Sequence, residues 1–154
     1  MIRSKIRGRL MLGVPVMLLS LVGFGRTQAA VSPAVNKKKT VYAELKKVPA
    51  KDAARRNPLE LDADAVVAGA KLFGMHCAEC HGEEANGARK GPSLRADDVQ
   101  QATPGTLFWL LTNGVVRRGM PVWSKLPEPQ RWQLVSFIKS LRTPAQSAAA
   151  AGKP

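Results

Sequence analysis

Met75-His76-Cys77-Ala78-Glu79-Cys80-His81-Gly82 holds both cysteines of the chain, and a histidine follows the second directly. Cys-x-x-Cys-His is the attachment pattern of a c-type haem. On a helix, Cys77 and Cys80 lie about one turn apart, so both sulfurs can reach the two vinyl groups along one haem edge. His81 comes next on that turn and can swing its imidazole beneath the iron as the proximal ligand. One short segment thus supplies tether and ligand together.

Other uses of two cysteines fit less well. A thioredoxin-like dithiol needs a preceding strand and a βαβ surround, and neither is visible in the sequence. A disulfide at this separation closes a tiny, strained loop with little entropy to gain. Zinc would have only His76 and His81 as nearby partners, with no second cysteine pair.

Together with Gly69-Ala70-Lys71-Leu72-Phe73, Gly91-Pro92-Ser93-Leu94 and Gly119-Met120-Pro121, the haem motif resembles a class I, single-haem cytochrome c of the bacterial soluble type. The similarity covers about Pro58 to Arg142, with the motifs in the family's order. It implies an all-α fold of three to four helices wrapped around one covalently bound haem c. It also implies that Pro92 offers its carbonyl to the second ring nitrogen of His81, which fixes the imidazole tautomer and raises its basicity. In such proteins the two terminal helices cross at glycine and aromatic residues, and Gly69, Phe73 and Phe137 match those positions.

Met120 is the candidate sixth ligand. Met1, Met11 and Met17 lie in the N-terminal apolar segment, and Met75 and His76 are too close to the attachment site to reach the opposite haem face. Met120 follows His81 by 39 residues, in a loop where Gly119 and Pro121 can set the sulfur's orientation. A methionine more often fills a core gap, so the Gly-Met-Pro match carries part of this reading. Of the tryptophans, Trp123 is expected against the haem, and Trp109 and Trp132 in the core. Arg117 and Arg118 could pair with haem propionates, although exposure is the default for arginine.

The chain has 154 residues and a formal charge of +13. Residues 1–29 read as an export signal: a basic start through Arg9, an apolar run Leu10–Phe24, then small residues ending in Thr27-Gln28-Ala29. No Arg-Arg pair occurs in the basic start, which favours export of an unfolded chain. A fifteen-residue run interrupted by Gly13 and Pro15 falls short of a spanning helix, though an uncleaved anchor is the alternative. Residues 30–57 hold eight Lys/Arg against two acidic residues, whereas residues 58–142 hold ten against nine. The first of these reads as a basic flexible extension, with one short amphipathic turn through Val41, Leu45 and Val48 as the alternative. On the flexible reading, removal of Asn36–Arg56 should leave the haem environment unchanged. Nucleic-acid binding fits poorly, since the chain is read as exported and Tyr42 is this segment's only aromatic residue.

Within the haem domain, 58–142, a helix is expected from an Asp62 cap to about Gly74, with Val66, Gly69, Ala70 and Phe73 on one face. A second follows Thr103-Pro104 through Leu107, Leu110 and Leu111 to Asn113-Gly114. A third runs from Glu128 to Leu141, with Leu134, Phe137, Ile138 and Leu141 inward. Residues 82–100 show no periodicity and would wrap the haem edge. Residues 143–154 read as a disordered tail.

The functional expectation is a periplasmic one-electron carrier with His81/Met120 ligation, exchanging electrons with exported redox proteins such as a dehydrogenase or an oxidase. An acidic docking surface on the partner, or weak association with a membrane surface, would suit the basic extension. Two alternatives remain: a haem sensor or peroxidase-like enzyme in which Met120 leaves, and a haem subunit of a dehydrogenase or oxidase complex.

Overall fold

The structure, a computed structural model, describes residues 42–151. The expected signal at 1–29, the first part of the extension and residues 152–154 lie outside the described residues. The fold is all-α. After a 3-10 turn at Tyr42–Lys47 come α1 (Ala50–Ala53), α2 (Ala63–His76), α3 (Ala78–His81), α4 (Asp97–Gln101), α5 (Pro104–Asn113), α6 (Glu128–Ser140) and α7 (Pro144–Ala151). Among the described residues no helix is long and apolar enough to cross a membrane.

Local chemistry explains where the main helices begin. Asp62 caps α2, its carboxylate accepting from the amides of Asp64 and Ala65. Thr103 caps α5 by accepting from the Thr106 amide, and Pro104 occupies the first helical position, where its missing N–H costs nothing. Gly114 ends α5 at φ 67°, in the left-handed region open to glycine.

Helices α2 and α6 form the principal contact. Phe73 and Phe137 meet with ring centroids 5.1 Å apart, and a Cβ on Gly69 would lie 2.0 Å from the Gln133 carbonyl oxygen. The glycine therefore serves the close approach of two backbones. Gly69→Ala would gain about 1 kcal/mol in helix propensity, yet the clash is with backbone and cannot be relieved by a rotamer. A net loss of at least about 2 kcal/mol is expected from denaturant titration of the holo-protein.

The core gathers Leu72 and Phe73 of α2, Leu107, Phe108 and Leu111 of α5, and Trp132, Leu134, Val135 and Ile138 of α6. Trp132 is buried as expected and stacks on Phe108 at 4.0 Å. Trp109, expected in the core, is instead half-buried and lines a shallow groove beside Asp52 and Arg55. With 3.6 residues per turn, the face that buries Phe108 and Leu111 turns its neighbour Trp109 aside.

The described parts of two segments expected to be flexible or disordered, 42–57 and 143–151, are ordered. In the extension, a 3-10 turn buries Tyr42 and packs Leu45 against the core, so an amphipathic turn is present with Tyr42 and Leu45 inward, while Val41 of the expected turn lies outside the described residues. Asn57 is buried with its amide on the Ser136 hydroxyl and the Trp132 carbonyl. Arg55 lies 4.5 Å above the Phe108 ring and pairs with Glu128 at 2.7 Å. Removal of Asn36–Arg56 would therefore cut into the folded domain. The expected tail forms α7, which opens on a reciprocal cap: Thr143 N–H donates to Gln146 Oε1 and Gln146 N–H to Thr143 Oγ1. Gln146 Nε2 also donates to the Arg95 carbonyl and to Asp97, which docks the helix.

At the end of α6, Lys139 donates to the carbonyls of Gln100 and Ala102, satisfying the C-terminal end of α4. Burial, reinforced by Arg142, pushes its pKa down from 10.5 to about 8. Between these values the unfolded chain binds the proton that the folded chain releases, so this group's contribution to stability rises with pH from about 8 towards 10.5. Below that window the penalty is complete. Lys139→Met should flatten the slope of denaturation midpoint against pH between about 8 and 9.5, relative to wild type.

Candidate haem-binding site

Helix α2 delivers the Cys77-Ala78-Glu79-Cys80-His81 segment. Cys77 follows its last residue, and the amides of Cys80 and His81 turn back onto the Cys77 carbonyl at 3.1 and 2.9 Å. This tight turn gathers two free thiols and the histidine: Cys77 stands at the N-cap of α3, and Cys80 and His81 are its last two residues. Cys77 packs against the core. Burial, with Cys80 beside it, pushes its thiol up to about 11, so it is held as the neutral thiol.

His81 is oriented from behind. Its Nδ1 lies 2.8 Å from the Pro92 carbonyl oxygen. In the tautomer that donates from Nδ1, the Nε2 lone pair is left free for a metal. Gly91 permits the approach, since a Cβ there would lie 2.7 Å from the Cys80 carbonyl oxygen and 3.1 Å from His81 Nδ1.

Of the run 82–100, expected to be without periodic structure and to wrap the haem edge, residues 97–100 belong to α4 and 82–96 form a stitched loop. Gly87 N–H donates to His81 O, and Leu94 N–H to Ala85 O. Ala85 is fully buried at φ 59°, an uncommon conformation for a residue with a side chain. Gln100, also buried, ties the loop to α6 by donating to Leu94 O at 2.7 Å and Ile138 O at 3.0 Å.

Met120 closes a miniature hairpin. Its backbone exchanges hydrogen bonds with Val115 at 3.0 and 3.3 Å, across a turn completed by Gly119 at φ 86°. The half-buried side chain packs against the core. Trp123 N–H donates to Leu111 O, fastening the loop to α5. The Trp123 ring lies 5.3 Å from that of His76, so this loop meets the end of α2 beside Cys77. Arg117 and Arg118 are exposed, and Arg118 Nε lies 3.7 Å from Glu44. Sequence reasoning singled out neither Tyr42 nor Gln100. Tyr42, as the lone aromatic in a basic stretch, was the available signal; Gln100 had none, because its role depends on a carbonyl 38 residues away.

These residues fit a haem. Two unpaired thiols sit one turn apart, the histidine has one ring nitrogen engaged and the other available, and a soft thioether lies on a separate, fastened loop. Fold and site together define a class I c-type cytochrome, with covalently bound haem c as its cofactor. Residues 64–138 match the family described as "Cytochrome C oxidase, cbb3-type, subunit III". The chain is 33% identical over 101 residues to the Cbb3-type cytochrome c oxidase subunit FixP of Sinorhizobium medicae (strain WSM419). That match covers 58% of this chain and 35% of FixP, so the chain spans about a third of its relative's length. The crystal structure of cytochrome CL from Methylophaga aminisulfidivorans MPT superposes with a TM-score of 0.54 at 21% identity, covering 74% of this chain and 81% of that one. At that identity the likeness concerns the fold.

Proposed function

We propose that this cytochrome is a periplasmic one-electron carrier whose iron is held between His81 and Met120 and which exchanges electrons with exported redox partners. The observation that carries the reading is the His81–Pro92 contact of 2.8 Å directly after the free thiol pair. A bound haem supplies the Fe(II)/Fe(III) couple. Cys77 and Cys80 would tether it, Pro92 orients His81 to hold its iron, and the Val115–Met120 hairpin would offer the Met120 thioether as the second protein ligand. With two side chains of the chain itself holding the iron, the domain would act as carrier rather than catalyst.

The matches to cbb3-type subunit III and to FixP favour a second reading, in which this domain is the haem subunit of an oxidase complex and not a free carrier. Electrochemical titration of the holo-protein tests what the two readings share: a single one-electron wave is expected, with the methionine-to-iron charge-transfer band present in the ferric state. Rapid binding of carbon monoxide by the ferrous wild type would instead favour a sensor or peroxidase-like protein. Copurification with oxidase subunits in stable stoichiometry separates the subunit from the free carrier.

Basic residues of the ordered extension supply steering towards an acidic partner surface. Lys46, Lys51 and Arg56 are exposed. Replacing all three with glutamine should slow association with such a partner up to about tenfold at low ionic strength. The difference should shrink above roughly 0.15 M salt, where the Debye length is about 8 Å. Equal stopped-flow rates at low salt would make the segment a purely structural part of the domain.

A further inference from the structure

The 3-10 turn Tyr42–Lys47 touches both the loop that backs His81 and the hairpin that carries Met120. Tyr42 is buried, and its hydroxyl donates to the Ser93 carbonyl at 2.9 Å. Ser93 directly follows Pro92, whose own carbonyl faces His81 Nδ1. Two residues after Tyr42, Glu44 lies 3.7 Å from Arg118 Nε. Arg118 closes the Val115–Met120 hairpin, donating its amide to the Val115 carbonyl. Leu45, from the same turn, packs against the core cluster that Met120 also joins. The turn thus bears on the loop behind the histidine at one end and on the methionine loop at the other.

We infer that Tyr42 and Glu44 are positioning residues: the Tyr42–Lys47 turn is a strap that holds the Pro92–Ser93 loop behind His81 and the Met120 hairpin in register and thereby retards departure of the thioether from iron. The physical ground is chain connectivity. The two loops are separated in sequence by α4 and α5, and methionine release requires the hairpin to move relative to the histidine side. A short segment anchored to both adds to that movement the breaking of one of its two anchors. Burial pushes the Tyr42 hydroxyl's pKa up, with Asp98 adding to the effect, which keeps it a neutral donor. Glu44 is held ionised chiefly by its hydrogen bond to Lys47, at 2.8 Å, with Arg118 contributing, so the carboxylate is fixed in place before it meets the hairpin.

The inference rests on Met120 being the sixth ligand, and the experiment separates the two. Ferric holo-proteins of wild type, Tyr42→Phe, Glu44→Gln and the double variant are mixed with cyanide, and the rate of methionine displacement is followed through the loss of the methionine-to-iron band. Tyr42→Phe, which removes one hydrogen bond and keeps the ring, should accelerate displacement about fivefold. Glu44→Gln, which weakens a more exposed pair, should accelerate it about twofold. Because both act through one strap, the double variant should fall short of the product of the two effects. Asp62→Ala, which removes the α2 cap at the far end of that helix, should lower the denaturation midpoint without changing cyanide kinetics.

Unchanged displacement in Tyr42→Phe and Glu44→Gln, with a lowered denaturation midpoint, would reduce the segment to a staple of the fold and overturn the strap. Effects that multiply fully in the double variant would overturn it as well, by making the contacts independent. A wild type that has no methionine band overturns the Met120 reading together with the strap. A wild type that shows the band while the variants exchange as slowly overturns the strap alone.

Discussion

Cys77→Ala combined with Cys80→Ala is expected to abolish stable holo-protein. The reason lies in the size of the core. The described domain is small, and a chain of this size buries a limited fraction of its surface unless a bound group completes the interior. Cys77 is itself packed against the hydrophobic cluster, so the tether sits at the core's edge and not on a remote loop. Without covalent attachment, the loop of residues 82–96 and the Met120 hairpin would have to close around a group free to leave. The paired measurement is acid-acetone extraction of denatured wild type, in which the haem should stay with the polypeptide. Release of free haem from the wild type would sink the covalent assignment. Recovery of folded, haem-loaded double variant in normal yield would show that attachment is dispensable for stability.

The turn that gathers Cys77, Cys80 and His81 was legible because it is local. Two thiols and an imidazole need only one helical turn to be brought together, and spacing alone specifies that turn. The Asp62 and Thr103 caps were legible for the same reason, since a cap concerns a side chain and an amide two or three residues on. The α2–α6 crossing could be anticipated through Gly69 and Phe73, where a glycine inside a helical pattern makes sense only if something approaches closely.

What the sequence hid was long-range satisfaction of polar groups. The stretch around Tyr42 reads as a solvated basic linker because Lys46, Lys47 and Lys51 dominate its composition. Its folded state is decided by the Tyr42 hydroxyl reaching Ser93 and the Asn57 amide reaching Ser136, partners 51 and 79 residues away. Likewise 82–96 has no period because its order comes from irregular hydrogen bonds such as Leu94 to Ala85, which periodicity does not register. The helix α7 carried a local signal, Thr143-Pro144-Ala145-Gln146, whose capping-box spacing was masked by the low complexity of the alanines that follow. Trp109 was misplaced for a different reason: large aromatics are buried on average, but on α5 the inward face belongs to Leu107, Phe108 and Leu111.

Met120→His should lower the reduction potential while keeping a low-spin spectrum, and Met120→Ala should open the sixth position to carbon monoxide and cyanide. A thioether is a soft ligand that favours the reduced iron, whereas imidazole favours the oxidised form, so exchanging one for the other moves the potential downward. The shift should be on the order of 0.1 to 0.3 V, a fraction of the roughly 0.8 V that axial ligation commands. Both substitutions should be local in their effect. The hairpin is held through the backbone of Met120 to Val115 and through Trp123 to Leu111, and neither contact uses the Met120 side chain. Loss of packing against the core will lower stability in Met120→Ala, which is why ligand binding and denaturation should be measured on the same preparation. Potentiometric titration of Met120→His and carbon monoxide binding to ferrous Met120→Ala give independent readings. If Met120→Ala retains the methionine band, the ligand lies elsewhere and the Met120 assignment fails. If the wild type already binds both small molecules rapidly, the sixth position is labile in the native protein, and ligand sensing or peroxide chemistry displaces electron carriage as the account of this site.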